Sequence, residues 1–461
     1  MASSVDLIPA DLAQSIERQT GATIIAIVPR GGGGASRMGA ELTLRHGDGR
    51  EERGYLSYDT RTGDPKRLPF FEREVAILKA LSGPLADSGV RAPRFIAAEP
   101  AHLALLCGMV SGSDRFDQAS DRMAVADALA AQLARLHAID PASVELAGFG
   151  DPHIPPSERI ATKLQRWRAS HLAATPDPVL ILALDWLAAN IPADRGPSVI
   201  LHGDAGTGNC LHDGQDITAM LDWELTHYGD PMEDLAQCWV RNLFQPFVRL
   251  SDFFKAYEAA GGIAVDVDRV RFHRLYFQMS FTAPGHANFY GESDVVPALM
   301  GISLVFHTAH MRVIVQSLGE LTGQSFTGPV LPEIPASHID RTFAIALDDL
   351  RNVITPRVAD QQASAKAKSL ARMVKYWRMR ERYGAAFARD ECAEIAAVTG
   401  QSAEDIATAR QHLASALLEQ QVAPETVLQL CHNRMVRETF LMADAMGSLR
   451  DCYFPSLDQA Q

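Results

Sequence analysis

Residues 201–211 read Leu-His-Gly-Asp-Ala-Gly-Thr-Gly-Asn-Cys-Leu, and residues 220–224 read Met-Leu-Asp-Trp-Glu. Between them an apolar run, the turn Asp213-Gly214 and the segment Ile217 to Leu221 predict a hairpin. That layout brings three groups to one rim: Asp204 in a loop, Asn209 at a strand start and Asp222 at the end of the returning strand. The Asp204 carboxylate is left to face a hydroxyl. The Asp222 carboxylate and the Asn209 amide oxygen are hard ligands suited to Mg²⁺, which usually keeps waters and binds substrate phosphates. Phosphoryl transfer needs such an arrangement, because positioning and charge neutralisation dominate over covalent chemistry.

His202-Gly203-Asp204 through Asn209 resembles the H-G-D-x-x-x-x-N catalytic loop of the aminoglycoside phosphotransferase and choline kinase-like superfamily. The Asp-to-Asn offset is that of the protein-kinase loop H-R-D-x-x-x-x-N. Asp222-Trp223-Glu224 resembles the family's metal-binding segment, and Gly229-Asp230-Pro231 with Asp234-Leu235-Ala236 resembles the G-D-P-x-x-D-L-A segment that follows it. The resemblance implies a catalytic role for Asp204 and metal ligation by Asn209 and Asp222. His202, Asp230 and Asp234 read as loop anchors and turn caps.

At 461 residues the chain is too long for one compact core and fits two or three domains. Composition, 47% hydrophobic and 21% charged, is that of a soluble globular protein. Met1 to Gln14 mixes Asp6 and Asp11 with short apolar pieces and does not read as a signal peptide. The most apolar stretches, around 102–110 and 179–187, fall short of a membrane span. Cysteines at 107, 210, 238, 392, 431 and 452 form no C-x-x-C pair, so neither a zinc site nor a disulfide framework is indicated. No membrane partner and a cytoplasmic location are expected. The net charge of −13 argues against nucleic acid, whose binding leans on Lys and Arg. It is compatible with a cationic substrate, and equally with an acidic surface that serves solubility.

Before the loop, Ala22–Val28 and Ala40–Arg45 read as strands around Arg30-Gly-Gly-Gly-Gly-Ala-Ser-Arg-Met-Gly39. A glycine-rich hairpin lets backbone N–H groups approach phosphate oxygens, since no Cβ obstructs them. Gly34-Ala35-Ser36 resembles the family's Gly-Ala-Ser loop, so Gly31, Gly32, Gly33, Gly34, Ala35 and Ser36 are expected to cover a nucleotide's phosphates. Gly54–Asp59 reads as the third strand. A helix from about Pro69 to Leu81 carries Glu72 and Glu74. In the superfamily a basic residue of the third strand pairs with a glutamate of this helix and reaches the ATP phosphates; Glu74 matches that glutamate. The strand departs from the pattern. Aligning Tyr55-Leu-Ser-Tyr58 puts Tyr58 in the basic place, and Arg61 is the nearest substitute. Arg94–Glu99 and His102–Val110 complete a small antiparallel sheet. Cys107-Gly108-Met109-Val110 resembles the linker between lobes, which implies that Gly108, Met109 and Val110 meet the adenine edge.

A helix from about Met123 to Ile139 resembles the family's L-A-x-L-H helix, with His137 read as structural. Ser157–His171, Val179–Asn190, Phe247–Ala260, Arg269–Asn288 and Val295–Ser317 also read as helices. In this fold such segments wall the acceptor site, and Asp114, Asp117, Glu158 and Asp230 are the candidates there for cationic contacts, though most such side chains read as solvated surface. Thr327–Pro335 is Pro-rich and reads as a boundary. Beyond it only helical periodicity appears, with a capping box at Ser402-x-x-Asp405, a helix opening at Pro424, and a small, polar, mobile stretch over Gln361–Lys368.

The expected architecture is a two-lobed kinase-like α+β fold: residues 1–112 as a nucleotide-binding lobe, 113–335 as a catalytic and acceptor-binding lobe, and 336–461 as an appended helical bundle. The resemblance, which covers about 20–325, implies ATP or GTP and Mg²⁺ as cofactors and a small-molecule hydroxyl as acceptor. Aminoglycosides, choline-like alcohols, sugars and hydroxyacyl thioesters all serve in the wider superfamily. Two rival readings remain: a nucleotide-binding pseudoenzyme whose tail binds a partner, favoured by Tyr58, and a protein kinase, disfavoured by Gly203 and by the lack of an activation segment after Asp222.

Overall fold

The computed structural model describes residues 7–30, 37–59, 67–245, 247–290 and 299–457. Gly31 to Ser36 and Arg61, expected at the phosphates, lie outside these residues. Packing divides the chain into two compact units. One comprises Met1–Pro156, Asp194–Val270 and Pro455–Gln461; the other comprises Ser157–Ala193 and Arg271–Phe454.

The first unit begins with alternation. Strands β1 (Thr23–Arg30), β2 (Met38–Arg45), β3 (Glu51–Tyr58), β4 (Phe95–Glu99) and β5 (Ala104–Gly108) form an antiparallel sheet in the order β1-β2-β3-β5-β4. Successive side chains point to opposite faces. Ile24, Ile27, Leu42, Leu44, Leu56, Tyr58 and Leu106 therefore pack together on one face, under Leu12 and Ile16 of the Ala10–Thr20 helix. Tyr55, Ser57, Leu105 and Cys107 take the other face, which lines a cleft. This corrects the expectation for Tyr58. Its ring is buried in the core and its hydroxyl donates to the Leu7 carbonyl at 3.5 Å, on the side away from the cleft.

The Leu68–Leu81 helix buries Phe71, Ile77, Leu78 and Leu81, with Glu74 inside that apolar stripe. Next come the Arg122–His137 helix, β6 (Val199–Leu201), β7 (Cys210–His212), β8 (Ile217–Met220), β9 (His227–Gly229) and the helices Met232–Arg241 and Leu250–Ala259. β6 pairs with β9, and β7 pairs with β8, both antiparallel. The small sheet followed by a mainly helical portion is the kinase-like α+β fold that the sequence reading expected, with extra C-terminal helices.

Among its described residues the second unit consists of helices and their connections, with no strand. Its largest core joins Val179, Leu180, Ala183 and Leu187 to Leu275, Met279, Ile314, Leu318, Leu413, Leu417, Val427 and Met435. Thr327–Pro335 lies inside this unit. Two local expectations need correction. Gln361–Lys368 opens a helix running Gln361–Thr399, because Asp360 accepts the Ala363 N–H at 2.7 Å as N-cap. At the Ile406–Leu418 helix the cap is Asp405 itself, accepting from Thr408 N at 2.8 Å, and not Ser402.

Candidate active site

The cleft has a volume of about 540 Å³ and lies within the first unit. β3 and β5 supply one wall, the Leu68–Leu81 helix supplies Glu74 and Leu78, and the opposite wall comes from Gly208, Asn209, Leu211, Leu221, Asp222 and Trp223. Gly108, Met109 and Val110 also line it. The Gly108 N–H donates to the Arg94 carbonyl at 2.8 Å and the Met109 N–H to the Arg53 carbonyl at 3.1 Å. Among the described residues the Val110 N–H has no such bond, so of the three it is the donor left to a ligand.

The loop holds its shape through buried groups. His202 is fully buried; its Nε2 donates to the Leu221 carbonyl at 2.8 Å while Nδ1 accepts from the Asp204 N–H at 3.3 Å. That pair of bonds selects the neutral tautomer with hydrogen on Nε2. Burial lowers the imidazole pKa and acts in the same sense. The Asp234 carboxylate accepts the backbone N–H of His202 at 2.8 Å and of Gly203 at 3.0 Å, and lies 3.0 Å from His137 Nε2. Burial opposes its charge, yet the His137 hydrogen bond and the backbone donors hold it below the usual carboxylate range. Thus His202, Asp234 and His137 are anchors. Asp230 is another: it is buried, pairs with Arg269 and accepts the Met232 N–H. Of the other acidic candidates, Asp117 pairs with Arg115, and Asp114 lines the cleft.

Asp204, Asn209 and Asp222 are drawn together as follows. Asn209 Nδ2 donates to the Asp204 carbonyl and to Asp204 Oδ2, both at 2.9 Å. With the nitrogen so committed, the Asn209 amide oxygen is the atom left for the cleft. The Leu221 N–H donates to the Asn209 carbonyl at 2.8 Å, which fixes the returning strand beside the loop and sets Asp222 near Asn209. Asp222 has a left-handed backbone, φ 62°, and opens onto the cleft. Desolvation by the cleft walls, then the carboxylates of Glu224, Asp204 and Glu74, push its carboxyl up to about 7. Because water in the cleft reaches this side chain, the repulsion between carboxylates is the more durable part of that effect. Such a concentration of negative charge suits a cation. Among the described residues no three His, Cys, Asp or Glu side chains could hold a metal by themselves. Two protein oxygens completed by water and phosphate is the Mg²⁺ pattern, and Asn209 with Asp222 fits it.

Two side chains at the site escaped the sequence reading. Arg241 Nε donates to Asp204 Oδ1 at 3.1 Å, and its Nη2 pairs with Oδ2. Arg37 Nη1 lies 2.8 Å from Glu74 Oε2, and Arg37 Nη2 lies 3.7 Å from Glu224 Oε2. Burial works against the Arg37 charge, but the Glu74, Glu224 and Asp222 carboxylates outweigh it and raise the guanidinium pKa. For Glu74 burial dominates and raises the pKa despite Arg37. The signals existed. Arg37 directly follows Gly34-Ala35-Ser36, and Arg241 stands seven residues after Asp234, on the same helical face.

The profile of the phosphotransferase enzyme family matches residues 44–273. Among curated proteins, acyl-CoA dehydrogenase family member 10 of Mus musculus is 28% identical over 180 residues, 36% of this chain and 16% of that protein. Acyl-CoA dehydrogenase family member 11 of Gallus gallus is 33% identical over 106 residues, 23% of this chain and 13% of that protein. The chain thus spans a sixth or less of the length of these relatives. Among solved structures, the macrolide 2'-phosphotransferase MphH of Brachybacterium faecium is 20% identical, covers 60% of this chain and 93% of its own, and has a TM-score of 0.46. Aminoglycoside phosphotransferase APH(3'')-Id of Streptomyces rimosus is 18% identical, covers 59% and 97%, and has a TM-score of 0.37. The family's profile runs from the end of β2 through Glu74, the loop at Asp204 and the helix bearing Asp234, and across that segment the chain belongs to the phosphotransferase enzyme family.

Proposed function

We propose that this chain transfers the γ-phosphoryl group of ATP to a hydroxyl of a small molecule. The observation that carries the reading is the division of labour at Asn209. Its amide nitrogen is spent on Asp204, and its amide oxygen is left to the cleft beside Asp222. Asn209 and Asp222 would hold Mg²⁺, which when bound neutralises phosphate charge and orients the triphosphate. Asp204, fixed by Arg241 and Asn209, orients the acceptor hydroxyl and takes its proton. Val110 offers a backbone donor to the base. The pseudoenzyme reading rested on a strand lacking its cation, and Glu74 has a cationic partner in Arg37.

The test is nucleotide turnover against a panel of hydroxyl compounds, with Asp204→Asn and Asp222→Asn beside the parent. Asp204→Asn keeps the shape and removes the base, so transfer should fall about 10²–10⁴-fold with MgATP affinity retained. Asp222→Asn should weaken MgATP more than metal-free ATP. Turnover by Asp204→Asn equal to the parent would refute the assignment.

A further inference from the structure

In the kinase-like pattern a cation on β3 faces the phosphates, yet here β3 turns only Tyr55 and Ser57 towards the cleft. Tyr58 is packed under the Ala10–Thr20 helix. Among the described residues that line the cleft, Arg37 is the sole Lys or Arg. It stands immediately before β2, with its side chain 11% exposed and its guanidinium 2.8 Å from the buried Glu74 carboxylate. Arg67, next to the Leu68–Leu81 helix, pairs with Asp59 and does not line the cleft.

We propose that Arg37 is the phosphate-facing cation of this protein, moved from the third strand to the residue that follows the glycine-rich segment, and that it binds the polyphosphate of a nucleotide while Glu74 holds it. The inference rests on the nucleotide reading above. The geometry supports it in three ways. A guanidinium has five N–H donors in a planar fork, so one edge can stay on Glu74 while another meets a phosphate oxygen. The second carboxylate, Glu224 at 3.7 Å, is too far for a hydrogen bond and leaves that edge of the fork available. Asp222 lines the same cleft as Arg37 and Glu74, and its carboxylate acts on the guanidinium, so Arg37 stands at the end of the cleft where the metal-facing residues are. Its place separates this chain from the strand-borne pattern. The cation stands immediately before β2, next in sequence to the glycine-rich segment, instead of on β3.

Binding of MgATP and of adenosine to the full-length chain, measured by calorimetry, tests this. Arg37→Ala is expected to weaken MgATP by about tenfold or more, as loss of a charged hydrogen-bonding partner does, and to leave adenosine binding unchanged. Loss of Arg37 also leaves Glu74 buried without its partner, so the double variant Arg37→Ala/Glu74→Gln removes both. That double variant should stay weak for MgATP while recovering the parent's melting temperature. Adding Ser57→Lys to Arg37→Ala should bring MgATP binding back, since Ser57 faces the cleft from β3. If Arg37→Ala binds MgATP as the parent does, or if Arg37→Ala/Glu74→Gln regains parental MgATP affinity, Arg37 merely neutralises Glu74 and the proposal falls. A parent chain that binds no MgATP would overturn the nucleotide reading itself, and this inference with it.

Discussion

A methyl group on residue 203 would stand 2.0 Å from the Leu225 carbonyl oxygen, and the backbone there has φ +84°. Both facts demand glycine: the first is a clash with backbone that cannot rotate away, the second a conformation that L side chains rarely adopt. The same position in the protein-kinase loop is arginine, and no arginine fits here. The loop variant is therefore a packing requirement of the turn Leu225-Thr226 that lies against it. Gly203→Ala should destabilise the first unit by about 2–4 kcal/mol and displace Asp204, so turnover should drop even where the variant folds. Equal urea midpoints for Gly203→Ala and the parent would contradict this reading.

One face of a single helix holds the loop. Along Met232–Arg241, Asp234, Gln237 and Arg241 stand at i, i+3 and i+7, and each reaches a different part of residues 202–205. Asp234 takes the N–H groups of His202 and Gly203, Gln237 Oε1 takes the Ala205 N–H at 2.8 Å, and Arg241 takes the Asp204 carboxylate. Asp234 and Gln237 are buried, so their acceptors depend on the loop amides and, for Asp234, on His137, with no solvent to replace them. Asp234→Asn replaces one acceptor oxygen by a donor that faces backbone N–H groups. Unfolding free energy should fall by about 2–4 kcal/mol, and hydrogen exchange of the 202–205 amides should quicken. Unchanged exchange at those amides would show that the stripe is not what holds the loop.

At the scale of the whole chain the two units differ in what they bury. The first buries an anchoring network around a loop; the second buries a charged and histidine-rich group inside helices. There Asp177 caps the Pro178–Ala189 helix, accepts from Arg434 Nη1 at 2.6 Å and lies 3.5 Å from His286 Nε2. His286 is 2% exposed. Burial, helped by Arg434, His171 and Arg410 and opposed by Asp177, pushes its pKa down to about 4. His171 and His307 shift the same way, burial being the first cause for each. The unfolded chain takes up protons near the ordinary histidine value of about 6.5, while the native unit refuses them until lower pH. Stability of the second unit should therefore fall as pH drops from about 6.5 to 4, His286 alone accounting for roughly 3 kcal/mol. Asp177, lowered against its ordinary value chiefly by Arg434 once burial is overcome, loses its contribution only below that window. Hydrogen exchange of the Met300–Thr322 and Pro424–Met446 helices at pH 7.5 and 5.0 reads this directly, and His286→Gln should flatten the difference. A flat profile in the parent would rule out the histidine account.

Much of this was open to reading in the chain because it depends on neighbours in sequence. Alternation set which β3 residues share a face, helical spacing put Glu74 in an apolar stripe, and the spacing from Asp204 to Asn209 and Asp222 follows from a short hairpin whose turn residues are explicit. The partners of those residues were decided by tertiary structure. Glu74 meets Arg37 across 37 positions, and Asp204 meets Arg241 across another 37. Which cation reaches a carboxylate depends on how strands and helices are packed, and many arginines are equally eligible in the sequence. Tyr58 shows the limit most plainly. Alignment by motif put it at the phosphates, but a strand's two faces are set by which one the Ala10–Thr20 helix covers, and that helix claimed the side that Tyr58 is on.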